Sequence, residues 1–236
     1  MVYDGCTILD PSGNLLTWCD KKKAKWYLRK GRATLIKEEE GRLTIKLDFQ
    51  PKGPGVVGNP FYTQPKENKC VVCGALDNLT RHHVVPHCYR RNFPQELKAY
   101  CSHDVLPLCH SCHEEYEVHA EKFKKQLFDE ANIDTKEVDR EAYLSSSAAL
   151  LLNKSIDIPT HKRESHLSTI KRYLGRKHIT ESDLASLIKD RPNSYDLLMS
   201  RVSDFEGFAK KWRSHFLRYA QPKYLPPYWT EEGRWS

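Results

Sequence analysis

CVVCGALDNLTRHHVVP, residues 70–86, read together with HDVLPLCHSCH, residues 103–113, decides the fold of this chain. Cys70-x-x-Cys73 and Cys109-x-x-Cys112 are two knuckles separated by the 35 residues 74–108. Zinc takes four thiolates in a tetrahedron, and two such knuckles close it without help from the rest of the chain. All four positions around the expected Zn²⁺ are then filled, so this ion fixes structure and leaves no place for a substrate. Eight cysteines would permit disulfides in an oxidising compartment. The paired Cys-x-x-Cys spacing suits a metal better and implies an intracellular, reducing one. Cys6, Cys19, Cys88 and Cys101 fall outside the knuckles and are read as inert thiols.

Between the knuckles lies Arg81-His82-His83-Val84-Val85-Pro86, and His113 directly follows the last cysteine. Metal-dependent cleavage of a phosphodiester needs a base to activate water and ligands that hold a cation against the scissile phosphate. A hairpin strand is expected to present His82 and His83. A helix beginning at Cys112 is expected to present His113, with Glu117 one turn later on the same face. Arg81, Arg90 and Arg91 flank this group and are expected to steer and neutralise phosphate.

Outward from this centre the chain reads as three regions. Residues 1–60 form a small basic α+β unit. In it Pro11-Ser12-Gly13-Asn14 turns a hairpin, Asp20 caps a helix over 21–28 that Gly31 stops, and strands follow at 33–36 and 43–49. Lys22, Lys25 and Arg29 share one face of that helix and are candidate phosphate contacts. The unit ends near the linker PKGPGVVGNP, residues 51–60. Residues 61–128 carry the chemistry. Residues 129–236 read as helices at 141–152, 161–174, 180–189 behind a Thr180-x-x-Asp183 capping box, and 203–219, before the prolines of QPKYLPPYW forbid a helix. The fold class is therefore α+β.

A formal net charge of +7 and a pI near 8.9 favour a polyanionic partner, nucleic acid or an anionic membrane surface. The start MVYDGCTILDPSG lacks a basic segment followed by an apolar one, and no stretch approaches the ~18 apolar residues of a membrane span.

The run HHVVP, then DVLPLC, then CH resembles the signature of HNH (His-Asn-His, ββα-metal) nucleases. Carried over by position, the resemblance makes His83 the general base, with His82 and His113 as ligands of a catalytic Mg²⁺ or Mn²⁺. Asp104 stands where that family usually has Asn. It is expected either to orient the base by hydrogen bonding or to join the ligands of the cation. Glu117 stands where many members have a further His, and a carboxylate there suits the same ions. The segment before the knuckles resembles the arginine-rich unit placed ahead of HNH nucleases in some mobile elements.

A second resemblance covers most of the chain. CDKKKAKWYLRKG, CVVCG, VVPHCYRRNFP, SHDVLPLCHSCH and WRSHFLRYAQPKYLPPYW are similar to the region that follows the exonuclease domain in the exonuclease 3'-5' domain-containing protein 2 family. No DEDD-type acidic motif precedes the match, so the resemblance implies a relative of that accessory region. The expected function is metal-dependent hydrolysis of DNA or RNA. Its rivals are a zinc-stabilised nucleic-acid-binding module that no longer cuts and a protein-interaction module.

Overall fold

A computed structural model describes residues 2–51, 60–98 and 101–233, with the side chains of Glu96, Lys98, Cys101 and Ser102 excepted. Apart from its two ends, the expected linker lies outside the described residues, as does the Cys101 thiol. The architecture is α+β, as the sequence pattern implies. Cut by packing rather than by composition, the chain falls into two compact units, Met1–Ala120 with Asp204–Ser236, and Glu121–Ser203.

The first unit opens with β1 (Cys6–Leu9), β2 (Leu15–Cys19), α1 (Lys21–Arg29), β3 (Ala33–Glu39) and β4 (Arg42–Leu47), whose strands form one sheet in the order β2-β1-β4-β3. β1 and β2 are the expected hairpin, while β1 pairs with β4 in parallel, a crossover made possible by α1 between them. Asp20 caps α1 by accepting the Lys23 N–H at 2.7 Å. Ala24 then packs against Cys6, Ile8, Ile45 and Leu47, all buried. Glu40 and Gly41 both take positive φ, +48° and +76°, the pair of left-handed residues that a two-residue hairpin turn between twisted strands requires.

After α2 (Pro60–Thr63) comes β5 (Leu79–His83), then α3 (His87–Arg90), α4 (Gln95–Lys98), a 3₁₀ turn over Cys101–Asp104, β6 (Val105–Cys109) and α5 (His110–Glu130). β5 and β6 form an antiparallel ribbon from Leu79 opposite Cys109 to His83 opposite Val105. Two strands alone are marginal, and this ribbon is held by what covers it. α5 begins two residues earlier than the sequence suggested.

The second unit takes the end of α5 and α6 (Thr135–Leu152), α7 (Thr160–Leu174), α8 (Glu181–Leu187) and α9 (Ser194–Ser200), around Leu144, Ala148, Leu151, Ile170 and Leu184. α6 starts six residues before the expected 141 because Asp134 caps it, accepting from Lys136 and Glu137 N–H. The capping box at Thr180 and Asp183 is formed on both sides. α9, capped by Asn193, has too short an apolar pattern to read from sequence.

α10 (Phe205–Ala220) returns to the first unit. Its Phe208 and Trp212 meet Tyr89 at 5.2 and 5.5 Å, and Phe216 meets Tyr116 at 5.0 Å, between ring centroids. Burial of each such ring contributes roughly 1.5–3 kcal/mol. Beyond α10, the Tyr224 N–H donates to Val71 O and the Trp229 indole N–H to His103 O, both at 2.9 Å. The carboxy-terminal segment therefore braces the ribbon.

Candidate functional site

The four knuckle thiols lie within 4.8 Å of one another, with Cys73 and Cys109 sulfurs 3.6 Å apart. The first knuckle is a tight turn: Cys70 N–H donates to Ala75 O and Gly74 N–H to Cys70 O. Gly74 sits at φ +84°, and a Cβ there would come within 3.0 Å of the Tyr224 ring, so only glycine serves. The second knuckle straddles the end of β6 and the first turn of α5, where the His110 N–H donates to Asn78 O at 3.2 Å. Burial acts to raise the Cys70 thiol, but N–H donors of Cys73, Cys109 and Val72 outweigh it and hold the thiol down to about 7. Burial, with the neighbouring Cys109 and Cys73 thiols, pushes Cys112 up. Four thiolates so close repel one another unless a dication sits among them, and four soft donors fit Zn²⁺.

On β5 consecutive side chains take opposite faces. His82 points inward and is 2% exposed, stacked on Phe216 at 5.3 Å and set edge-on to Tyr116 at 5.1 Å and His113 at 4.9 Å. The Thr80 hydroxyl donates its one proton to Leu108 O at 3.0 Å, so it accepts from His113 Nδ1–H at 2.8 Å. That fixes the tautomer: His113 Nε2 keeps its lone pair, facing Glu117 Oε1 at 3.4 Å. Glu117 Oε1 is also 3.9 Å from His82 Nδ1, and the three ligand atoms lie within 4.8 Å of one another. Converging acceptors of this kind call for a proton or a cation. Two imidazoles and one carboxylate fit a divalent ion and leave coordination positions for water and substrate.

His83 takes the opposite face of β5, away from His82. Arg90 Nη2 lies 2.9 Å from its Nδ1. A guanidinium only donates, so Nδ1 accepts and, in the neutral ring, Nε2 carries the proton. Burial first, then the Arg90 and Arg81 charges, pushes His83 down to about 4, which keeps it neutral at pH 7.

Asp104 is 6% exposed and stands apart from the His82, His113 and Glu117 group. Its carboxylate receives two N–H bonds from Arg213 of α10, at 2.6 and 3.0 Å. Burial opposes its ionisation, but His103 and Arg213 outweigh this and hold Asp104 down to about 2. Asp104 contributes to the site through its backbone: its carbonyl accepts the Val84 N–H at 2.8 Å, directly after His83.

Among the other expected residues, Arg81 shares the His83 face and donates to Val2 O at 2.9 Å. Arg91 is exposed after α3. Lys22, Lys25 and Arg29 are exposed on α1, outside the histidine cluster. Thr80 and Arg213 were not singled out from sequence. Thr80 could have been, because it lies two residues before His82 and so on the same strand face. Arg213 carries no local signal, since its partner is 109 positions away.

No family model matches this chain, and no solved structure matches it. Exonuclease 3'-5' domain-containing protein 2 of Homo sapiens is 34% identical over 250 residues, covering 97% of this chain and 40% of the relative. The Drosophila melanogaster protein of the same name is 33% identical over 252 residues, covering 97% of this chain and 43% of its own length. Protein RRP6-like 3 of Arabidopsis thaliana is 39% identical over 211 residues, 78% of this chain and 23% of that protein. The chain thus spans 43% or less of the length of each of these relatives. Among the described residues no helix is long and apolar enough to cross a membrane.

Proposed function

We propose that this chain is a metal-dependent nuclease that hydrolyses phosphodiester bonds of DNA or RNA at an HNH-type, endonucleolytic site. The observation that carries this reading is the convergence of His82, His113 and Glu117, each with a ligand atom within 4.8 Å of the others, one residue along α5 from a closed cysteine cluster. Relatives named for a 3'-5' exonuclease domain lend support, as nucleic acid is the substrate such a name implies.

Mg²⁺ or Mn²⁺ on His82, His113 and Glu117 would supply Lewis-acid charge to the scissile phosphate and the departing oxygen. The His82 and His113 rings are oriented for this role by Phe216 and Thr80. His83, neutral at pH 7, takes the proton of the attacking water. Its Nδ1 lone pair becomes free when Arg90 turns from His83 to a strand phosphate, so substrate binding itself arms the base. Arg91 adds charge at the same end of the ribbon. The Asp104–Arg213 pair holds the residue after His83 through the Val84 N–H.

The same Arg90 contact favours a second reading, a zinc-stabilised module that binds nucleic acid without cutting, in which Arg90 never leaves His83. Incubation of zinc-loaded protein with labelled single- and double-stranded DNA and RNA separates the two. Added Mg²⁺ or Mn²⁺ is to be omitted rather than chelated, because a chelator would also strip the thiolate zinc. Cutting that needs the added ion and falls by about 10²–10⁴ in His83→Ala supports the nuclease; full activity in His83→Ala rejects its base. Binding without cutting under every condition leaves the second reading.

A further inference from the structure

A cavity of about 330 Å³ lies beside the β5–β6 ribbon, on the Arg81 side, walled by Tyr3, Trp18, Arg42, Lys66, Asn68 and Arg81 among others. Its volume is at the small end of ligand sites. The walls are fixed in advance. Asn68 accepts the N–H of Val2 and of Tyr3, each at 2.8 Å, and returns a bond to Tyr3 O. The Tyr3 hydroxyl donates to Val105 O at 2.8 Å and the Trp18 indole N–H to Thr63 O at 2.9 Å, so both rings are held in place.

The charges here are unequal in availability. The two acids, Asp4 and Asp20, are engaged with backbone N–H groups of Lys21 and Lys23. Lys66 has its ammonium 3.7 Å from the Phe61 ring centre and 5.5 Å from that of Tyr3, and burial holds its pKa down to about 8. Among the described residues neither Lys66 nor Arg42 has a carboxylate within ion-pair distance. Arg81 spends one arm on Val2 O and keeps the other 3.9 Å from Asp20. A half-buried ammonium against aromatic rings, beside two guanidinium groups, gains most from an incoming anion, and ring faces beside it suit a base or sugar.

We propose that this cavity takes one nucleotide unit of the bound strand, its phosphate among Lys66, Arg42 and Arg81 and its base or sugar against Trp18. Arg81 and His83 share a face of β5 two residues apart, roughly 7 Å, so the seated unit neighbours the phosphate presented to His83. The proposal rests on the reading that the chain binds nucleic acid, but not on its cutting it.

The test is binding of short, end-labelled single-stranded DNA and RNA by zinc-loaded full chain without added Mg²⁺ or Mn²⁺, followed by anisotropy across a salt series. Lys66→Gln and Arg42→Gln are each expected to weaken binding about fivefold at 0.1 M salt and to lower the salt slope by about 0.7, the loss of one phosphate contact. Lys66→Arg should restore the parental affinity, which a merely misfolded variant would not. A nucleoside 5'-monophosphate should displace the strand at concentrations where inorganic phosphate does not. Parental affinity and slope in both glutamine variants would overturn the pocket while leaving strand binding intact, and equal displacement by inorganic phosphate would overturn its nucleotide character. Failure of the parental protein to bind any strand would sink the nucleic-acid reading on which the proposal stands.

Discussion

The cysteine cluster and the histidine cluster are adjacent but built for different ends. Both draw on the β5–β6 ribbon region and on the start of α5, where Cys112 and His113 are neighbours in sequence. The thiol set offers four soft donors and closes around an ion; the His82, His113 and Glu117 set offers three mixed donors and leaves room. The first also has its turn locked by backbone bonds and Gly74, whereas the second depends on side chains that a single hydroxyl and the rings of Phe216 and Tyr116 hold in place. A closed site fixes structure and an open one can do chemistry; with an ion among its thiols the cysteine cluster would anchor the helix turn from which His113 and Glu117 project.

The hardest blow to that contrast is Cys109→Ser. A structural zinc contributes on the order of 10–16 kcal/mol, as much as or more than a whole domain's usual net stability of about 5–15 kcal/mol. Bound zinc, measured by atomic absorption, should drop to near zero, and the circular-dichroism melt of the first unit should be lost. A parental melt in that variant would mean that the thiols do not hold the fold together.

Next is Arg213→Met, which leaves the Asp104 carboxylate buried without its guanidinium. Breaking one side of a buried pair costs about 3–5 kcal/mol, readable by urea unfolding. The double variant Asp104→Asn, Arg213→Met should recover most of the loss, and no recovery would mean that Arg213 acts through packing instead.

Thr80→Val sharpens the comparison without threatening the fold. It removes the hydroxyl that sets the His113 tautomer, so Mn²⁺ affinity at the histidine cluster should fall about 10–100-fold while zinc content stays parental. Titration calorimetry would detect this, and unchanged Mn²⁺ affinity would show that His113 needs no such orientation.

The smallest effect concerns pH. Burial first, then the nearby His119 and Arg218 charges, pushes His215 of α10 down to about 4. Its folded value lies below its ordinary 6.5, so the unfolded chain binds the extra proton. The stability it contributes is present above pH 6.5 and is lost as pH falls toward 4. In His215→Gln the drop in melting temperature across that window should be shallower than in the parent. Identical slopes would show that His215 titrates normally.

Much of this was legible because it is local. Cys-x-x-Cys spacing, the alternation that makes β5 a strand, the Asp20 cap and the Thr180 box are each set within a few residues, and the strands and most helices followed. The opposite facing of His82 and His83 was implied by the same alternation, although the sequence reading presented them together. What escaped depends on partners far apart in the chain. Asp104 reads as a candidate to orient a base or bind an ion, yet its carboxylate is taken by Arg213, and a residue's nearest charge cannot be known before α10 packs.

The sequence by itself therefore determined the two cysteine knuckles, the alternation that turns His82 and His83 to opposite faces of β5, and the α+β class, since short-range geometry fixes those. Only the tertiary structure decided which acceptors converge, which are already occupied and where free cations border a cavity. Those outcomes come from packing between distant segments, where burial sets the cost of every unpaired charge.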